Sequence, residues 1–237
     1  MSSHRGKLIA IEGIDGSGKR TQLELLAAAI NKLGHSVWCT GFPQYDSWFG
    51  KMVGRFLNGD FGSLENVDPH FSALLYAGDR FEAKERLETA LNDGKIVLAD
   101  RYIASNLAHQ TARAGQRGEF IAWIEHLEYQ IYGLPPEDLV VYLRVPPAPA
   151  HTLIAKKAAR GYTTAQRDLQ EANLRHLQDA AEIYDMLSRR TAWRTIECFD
   201  TLRSSMRSPE EISRDVLAAV EPLLPTKAVK QSGKRGP

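Results

Sequence analysis

A chain of 237 residues with 30 lysines and arginines against 29 aspartates and glutamates carries a formal charge of +1. That balance gives no reason to expect a nucleic-acid or membrane partner, and no apolar run reads as a membrane span or a secretory leader. With 43% hydrophobic and 25% charged residues, the composition is that of an ordinary globular chain, long enough for one domain with a sizeable core.

Taken in chain order, residues 1–6 read as a flexible terminus and 7–12 as a buried strand. Residues 22–33 have helical spacing and are closed by Gly34. A second strand over 36–40 is broken at 41–45. Residues 48–57 are apolar at helical spacing, 59–69 form a loop, and 70–92 read as one long helix ended by Asp93-Gly94. A short apolar strand over 95–99 runs into Asp100. Helices are expected over 103–114 and 118–132, a strand over 139–145, and helices over 148–159 and 169–189. The polar stretch 160–167 reads as a flap. A last strand over 193–198 and a helix over 209–223, capped by Ser208, close the domain, and 225–237 reads as a disordered basic tail. Cys39 and Cys198 both stand in apolar runs without metal spacing, so buried, reduced thiols are expected, consistent with a cytoplasmic compartment.

Strands alternating with helices predict an α/β fold with a parallel sheet covered on both faces. Ligands of such sheets bind beyond the carboxyl ends of the strands, which puts the segments 13–21, 42–45 and 100–101 on one edge. The first of these, Gly13-Ile14-Asp15-Gly16-Ser17-Gly18-Lys19-Arg20-Thr21, follows a strand and opens a helix. Its glycines let successive N–H groups converge on one anion, the helix adds its positive end, and Lys19 brings a point charge to the β- and γ-phosphates. A hydroxyl ordinarily follows that lysine to hold Mg²⁺; here Arg20 stands in its place, with Thr21 one residue later. Asp100, at the end of an apolar strand, suits a Mg²⁺ ligand or, alternatively, a helix cap. Arg101 suits a phosphate fork or a surface ion pair.

Asp100-Arg101-Tyr102, Ser105-Asn106 and Ala108-His109-Gln110 together resemble the D-R-Y-x-x-S-x-x-A-Y-Q signature of thymidylate kinases. Phe42-Pro43 after the second strand, Leu74-Leu75-Tyr76 with Asp79-Arg80, and the run 138–147 are similar to further segments of that family, in the same order. The resemblance implies a P-loop nucleoside monophosphate kinase fold with a five-stranded parallel sheet and a flexible lid near 156–168, commonly a homodimer. It implies transfer of phosphate from ATP to dTMP with Mg²⁺. By the same resemblance, Asp15 lies near the acceptor's sugar and phosphate, and Arg101 grips the dTMP phosphate. Tyr76 stacks on thymine and Arg80 hydrogen-bonds it; from spacing alone, Phe71, Leu74, Leu75 and Tyr76 could instead be a buried helix face. Phe42, Pro43, Tyr45, Ser105, Asn106, His109 and Gln110 complete the acceptor pocket. Asp100 with Asp15 holds the metal, partly through water.

Phosphoryl transfer asks for alignment and positive charge more than for covalent chemistry. The family draws that charge from its phosphate loop or its flap. The loop here carries Gly16 at the relevant position, so the flap is expected to supply it from Lys156, Lys157, Arg160 or Arg167, with Arg160 the first choice. Asp168 and Glu171 resemble the acidic pair that ends the family's flap. His109 stands where the family has tyrosine and Arg144 where an acid is common. A deoxynucleoside kinase shares the phosphate loop and the acid–arginine strand end, but its acceptor would leave Arg101 no phosphate to grip. A nucleotide-binding protein without transfer is the non-enzyme alternative. A GTPase is disfavoured, because Asn31-Lys32-Leu33-Gly34 lacks the final aspartate of a guanine-reading loop.

Overall fold

The structure is a computed structural model that describes residues 5–63, 66–151 and 174–225. Five strands, β1 (Lys7–Glu12), β2 (Val37–Gly41), β3 (Ile96–Asp100), β4 (Leu139–Arg144) and β5 (Trp193–Glu197), form one sheet in the order β2-β3-β1-β4-β5. Every pairing is parallel. The inner strands are unbroken apolar runs because both of their faces are covered: Leu8, Ile9, Ala10, Ile11, Val97, Leu98 and Ala99 have no exposure. Each such buried Leu or Ile side chain contributes about 2 kcal/mol relative to exposure.

The edge strands are less buried, and this corrects one expectation. Cys39 lies on β2, paired on one side only, and is exposed. Cys198 is buried as expected, donates its S–H to Ile196 O at 3.3 Å, and burial pushes its thiol up to about 12.

Eight α-helices are described: α1 (Lys19–Lys32), α2 (Trp48–Leu57), α3 (Pro69–Glu82), α4 (Lys84–Asn92), α5 (Ile103–Thr111), α6 (Arg117–Glu125), α7 (Leu174–Leu187) and α8 (Pro209–Val220). The chain leaves β1 in one direction across the sheet and leaves β2, β3 and β4 in the other. Right-handed crossovers then put α1 on one face and α2 to α7 on the opposite one. The last helix, α8, returns to pack on α1. A small antiparallel pair, β6 (Phe199–Asp200) and β7 (Ser205–Met206), had no signal in the sequence.

Two expected helices are each interrupted. The stretch 70–92 breaks at Ala83, whose N–H bonds Arg80 O only three residues back, at 3.1 Å. The Glu82 carboxylate beside the break accepts from Trp48 N (3.3 Å) and Phe49 N (2.7 Å), capping α2. The stretch 118–132 ends as an α-helix at Glu125 and continues as a wider π turn, His126–Ile131. There Tyr132 N–H reaches five residues back to Leu127 O at 2.9 Å. Ser208 caps α8 as expected, in a reciprocal box with Glu211. Residues 147–151 begin a helix, but most of the expected helix 148–159, the flap 160–167 and the tail beyond Pro225 lie outside the described residues. At the start of the chain, Gly6 is buried and its N–H bonds Leu91 O at 2.7 Å.

Candidate active site

The loop between β1 and α1 takes its shape from glycines in the left-handed region, Gly16 at φ 82° and Gly18 at φ 88°. Gly18 is also the N-cap of α1; no side chain caps that end and no acid stands in its first turn. The free N–H groups of the first turn are therefore left for an anion. Lys19 is buried and folded onto its own loop, donating to Gly13 O (2.9 Å) and Ile14 O (2.8 Å). Burial, with Arg101 nearby, brings its ammonium down to about 8. Arg20 turns outward, 83% exposed, and pairs with Glu24 at 3.1 Å; Thr21 is exposed as well.

Pairing of β1 with β3 sets Ile11 opposite Asp100, which brings the end of β3 against the loop. Arg101 adopts φ 68°, a left-handed conformation rare for a bulky residue, and its N–H bonds Ile11 O at 3.1 Å. The turn directs its guanidinium over the cleft, where it contacts Asp15, Ser105 Oγ (3.0 Å) and His109 Nε2 (3.3 Å). Lys19 Nζ lies 4.0 Å from the same Asp15 oxygen. Both cations thus face one carboxylate. A guanidinium only donates, so His109 Nε2 accepts, and its Nδ1–H is left to donate to His176 Nε2 at 3.2 Å. Burial, followed by the charge of Arg101, depresses the His109 pKa well below its usual value. Burial, followed by the charge of Arg113, brings His176 down to about 4.

Sequence reasoning missed Glu12. This carboxylate, with no exposure, accepts from Tyr102 N (2.6 Å), Ser105 N (3.2 Å), Ser105 Oγ (2.7 Å) and Tyr184 Oη (2.8 Å). It caps α5 from the end of β1, and so fixes both Ser105 and the turn that carries Arg101. Burial raises its pKa despite these donors. The available signal was an acid closing the apolar run 8–11 directly before the glycine loop.

Every residue expected to contact the acceptor lines one pocket: Asp15, Phe42, Pro43, Tyr45, Tyr76, Arg80, Arg101, Ser105, Asn106, His109 and Gln110, with Leu57 added. Tyr76 is half-buried and meets Phe56 edge to face, while Phe71 and Leu74 are exposed, so the four residues do not form a buried helix face. Asp79 accepts from Gln44 N (2.9 Å) and Ser47 Oγ (2.9 Å), holding the segment after Phe42-Pro43 against α3. Arg80, 1% exposed, forks onto Glu128 at 2.5 and 2.7 Å. Asn106 donates to Ala73 O (3.1 Å) and Glu128 (2.8 Å) and leaves its Oδ1 buried with no partner. Gln110 Oε1 accepts from Ser72 Oγ (2.7 Å) and Arg113 (3.0 Å). Arg144 binds Asp185 (2.8 Å) and Glu197 (3.2 Å). Lys156, Lys157, Arg160, Arg167, Asp168 and Glu171 lie outside the described residues.

Among the described residues no three His, Cys, Asp or Glu side chains cluster as a cation cage. Asp100 does present a buried oxygen, Oδ1, without a partner. That suits a hard cation which takes its other oxygens from phosphates and water.

The thymidylate kinase family profile matches residues 11–204, from the end of β1 through both strand-end segments to the β6–β7 turn. The chain belongs to the thymidylate kinase family. It is 36% identical over 176 residues to thymidylate kinase of Mycobacterium tuberculosis, covering 73% of this chain and 78% of that protein. It is 27% identical over 222 residues to thymidylate kinase of Danio rerio, covering 93% and 96%. A solved thymidylate kinase structure from Candida albicans superposes with a TM-score of 0.68 at 18% identity, over 92% of each chain, and shows the same fold. In a member of this family, the placement of Lys19 and Arg101 about one Asp15 oxygen is the informative geometry.

Proposed function

We propose that the protein transfers the γ-phosphoryl group of ATP to the 5′-phosphate of dTMP, giving ADP and dTDP for dTTP synthesis. One observation carries the reading: one Asp15 oxygen faces both the buried Lys19, at the start of α1, and the partly buried Arg101, directly after β3. ATP phosphates lie on the loop 13–21 and the N–H groups of α1, and Lys19 exchanges the Gly13 and Ile14 carbonyls for phosphate oxygens. Arg101 exchanges Asp15 for the dTMP phosphate. Both substrates are then aligned tail to tail, with developing charge met by fixed cations. Asp100, with Asp15 nearby, would hold Mg²⁺ together with water and phosphate oxygens, and the ion would supply positive charge to the transferring group.

At the far end of the pocket, Tyr76 offers a ring face to the base. Asn106 Oδ1 is an acceptor without a partner and Arg80 a donor, the complement of the N3–H and carbonyl edge of thymine. His109 walls the sugar in place of the family's tyrosine. Arg160, ahead of Gly161, is the first candidate for additional charge from the flap.

Leu74 and Phe81 expose apolar surface on α3, as Ile131 does nearby in the chain after α6, consistent with a homodimer joined through helix faces. Among the described residues no helix is long and apolar enough to cross a membrane, and both cysteines are free, consistent with a cytoplasmic enzyme.

A coupled ADP-release assay over the nucleoside monophosphates and thymidine tests the reading. Turnover of dTMP with ATP and Mg²⁺ is expected; turnover of thymidine or another monophosphate with none of dTMP overturns it.

A further inference from the structure

Glu128 has no exposure and stands behind Arg80 and Asn106, two residues that line the pocket, and no step of the transfer uses it. It stands on the apolar stripe of Phe120, Ile121 and Ile124, four residues after Ile124, where an aliphatic side chain would ordinarily pack. The helix widens into its π turn at this point, Tyr132 N–H reaching Leu127 O. Three N–H groups converge on the Glu128 carboxylate: Arg80 Nε (2.5 Å), Arg80 Nη2 (2.7 Å) and Asn106 Nδ2 (2.8 Å).

A buried arginine–glutamate pair loses much of its Coulombic gain to desolvation, and an apolar pair of equal volume is often as stable. What the pair contributes is orientation. A carboxylate here can only accept, so the Asn106 amide must turn its NH₂ toward Glu128 and Ala73 O. Its Oδ1 is thereby the atom left without a partner. The same carboxylate takes the Nε–Nη2 edge of the Arg80 guanidinium through two hydrogen bonds and holds the plane of the group that lines the pocket.

We propose that Glu128 is a positioning and specificity-determining residue: it sets the hydrogen-bond polarity of the base pocket, one acceptor from Asn106 beside one donor from Arg80. The proposal rests on the reading that this pocket takes thymine. A base with an N3–H next to a C4 carbonyl matches that polarity. Cytosine, with a bare N3 next to an amino group, meets an acceptor with an acceptor and a donor with a donor. Glutamine at position 128 keeps the shape but carries an NH₂, which permits the Asn106 amide to reverse.

The test is steady-state kinetics of wild type, Glu128→Gln and Glu128→Asp with dTMP and with dCMP, together with the KM for ATP. For Glu128→Gln, kcat/KM for dTMP is expected to fall about tenfold or more, and the dTMP-to-dCMP ratio by a similar factor, with the KM for ATP within about twofold. Glu128→Asp retains the carboxylate and is expected to keep the ratio within about threefold of wild type. Partial loss of folding lowers both substrates alike and leaves the ratio unmoved. An unchanged ratio in Glu128→Gln, or an equal drop in both variants, overturns the proposal. Wild type without dTMP turnover overturns the pocket reading instead. Should the glutamine variant not fold, NMR of wild type with dTMP decides: Overhauser contacts from the Asn106 amide hydrogens to Glu128 Hγ support the proposal, and contacts from them to bound thymine overturn it.

Discussion

Asp15, on the loop after β1, accepts from the Arg101 guanidinium that follows β3. Burial alone would raise the Asp15 pKa; the charges of Arg101 and then Lys19 outweigh it and hold the carboxyl down at about 2. Burial likewise opposes the Arg101 charge, and Asp15 outweighs it to raise that pKa. A double-mutant cycle of Asp15→Asn and Arg101→Gln, read by urea unfolding, should give a coupling of about 1–2 kcal/mol without ligand. It should shrink with dTMP bound, as phosphate replaces the carboxylate. Coupling near zero in the free protein would contradict the contact.

Under the proposed function, Arg101→Ala removes the acceptor's phosphate ligand and leaves the ATP loop intact. The KM for dTMP is expected to rise by about 100-fold, and the KM for ATP by less than about threefold. Equal rises in both constants would place Arg101 outside the acceptor site.

Lys19→Ala takes away the buried ammonium that rests on the loop 13–21. Loss of a fixed charge at the transferring group should lower kcat by about 10²–10³-fold or more. A variant retaining near wild-type kcat in the coupled assay would refute its role.

The His109–His176 pair predicts an acid limb of stability. His176 lies beside His109, with Arg113, Asp15 and Asp179 in its electrostatic surroundings. Its folded pKa of about 4 lies below its unfolded value of 6.5, so the unfolded chain binds the extra proton between those pH values. Stability from this group is full above pH 6.5 and is lost as pH falls toward 4, by about 3 kcal/mol across the window. Chemical denaturation from pH 4 to 7 should therefore show a shallower slope for His176→Gln than for wild type. Parallel slopes would contradict a buried neutral His176.

At the opposite end of the chain, Ser208→Ala breaks the reciprocal cap with Glu211 and should cost about 1 kcal/mol in unfolding free energy, with dTMP turnover unchanged. No loss in a thermal or urea melt would show that α8 is held by packing alone.

The sequence by itself determined the sheet and the phosphate loop. Unbroken apolar runs such as 8–11 and 96–99 read as doubly covered strands, and the glycine spacing of 13–18 permits only a turn. Those signals are local, and the structure follows them. The residues that line one pocket were also legible as a group, through short motifs after β1, β2 and β3 and on α3. What only tertiary structure decided depends on partners distant in the chain. The exposure of Cys39 follows from the edge position of β2, which strand order sets and local hydrophobicity does not. Glu12 and Glu128 stand in apolar stretches without any local reason for an acid. Their donors come from α5 and α7, and from α3 and α5, 22 to 172 residues away. A buried carboxylate is tolerable only where such donors converge, and that convergence exists only once the chain has folded.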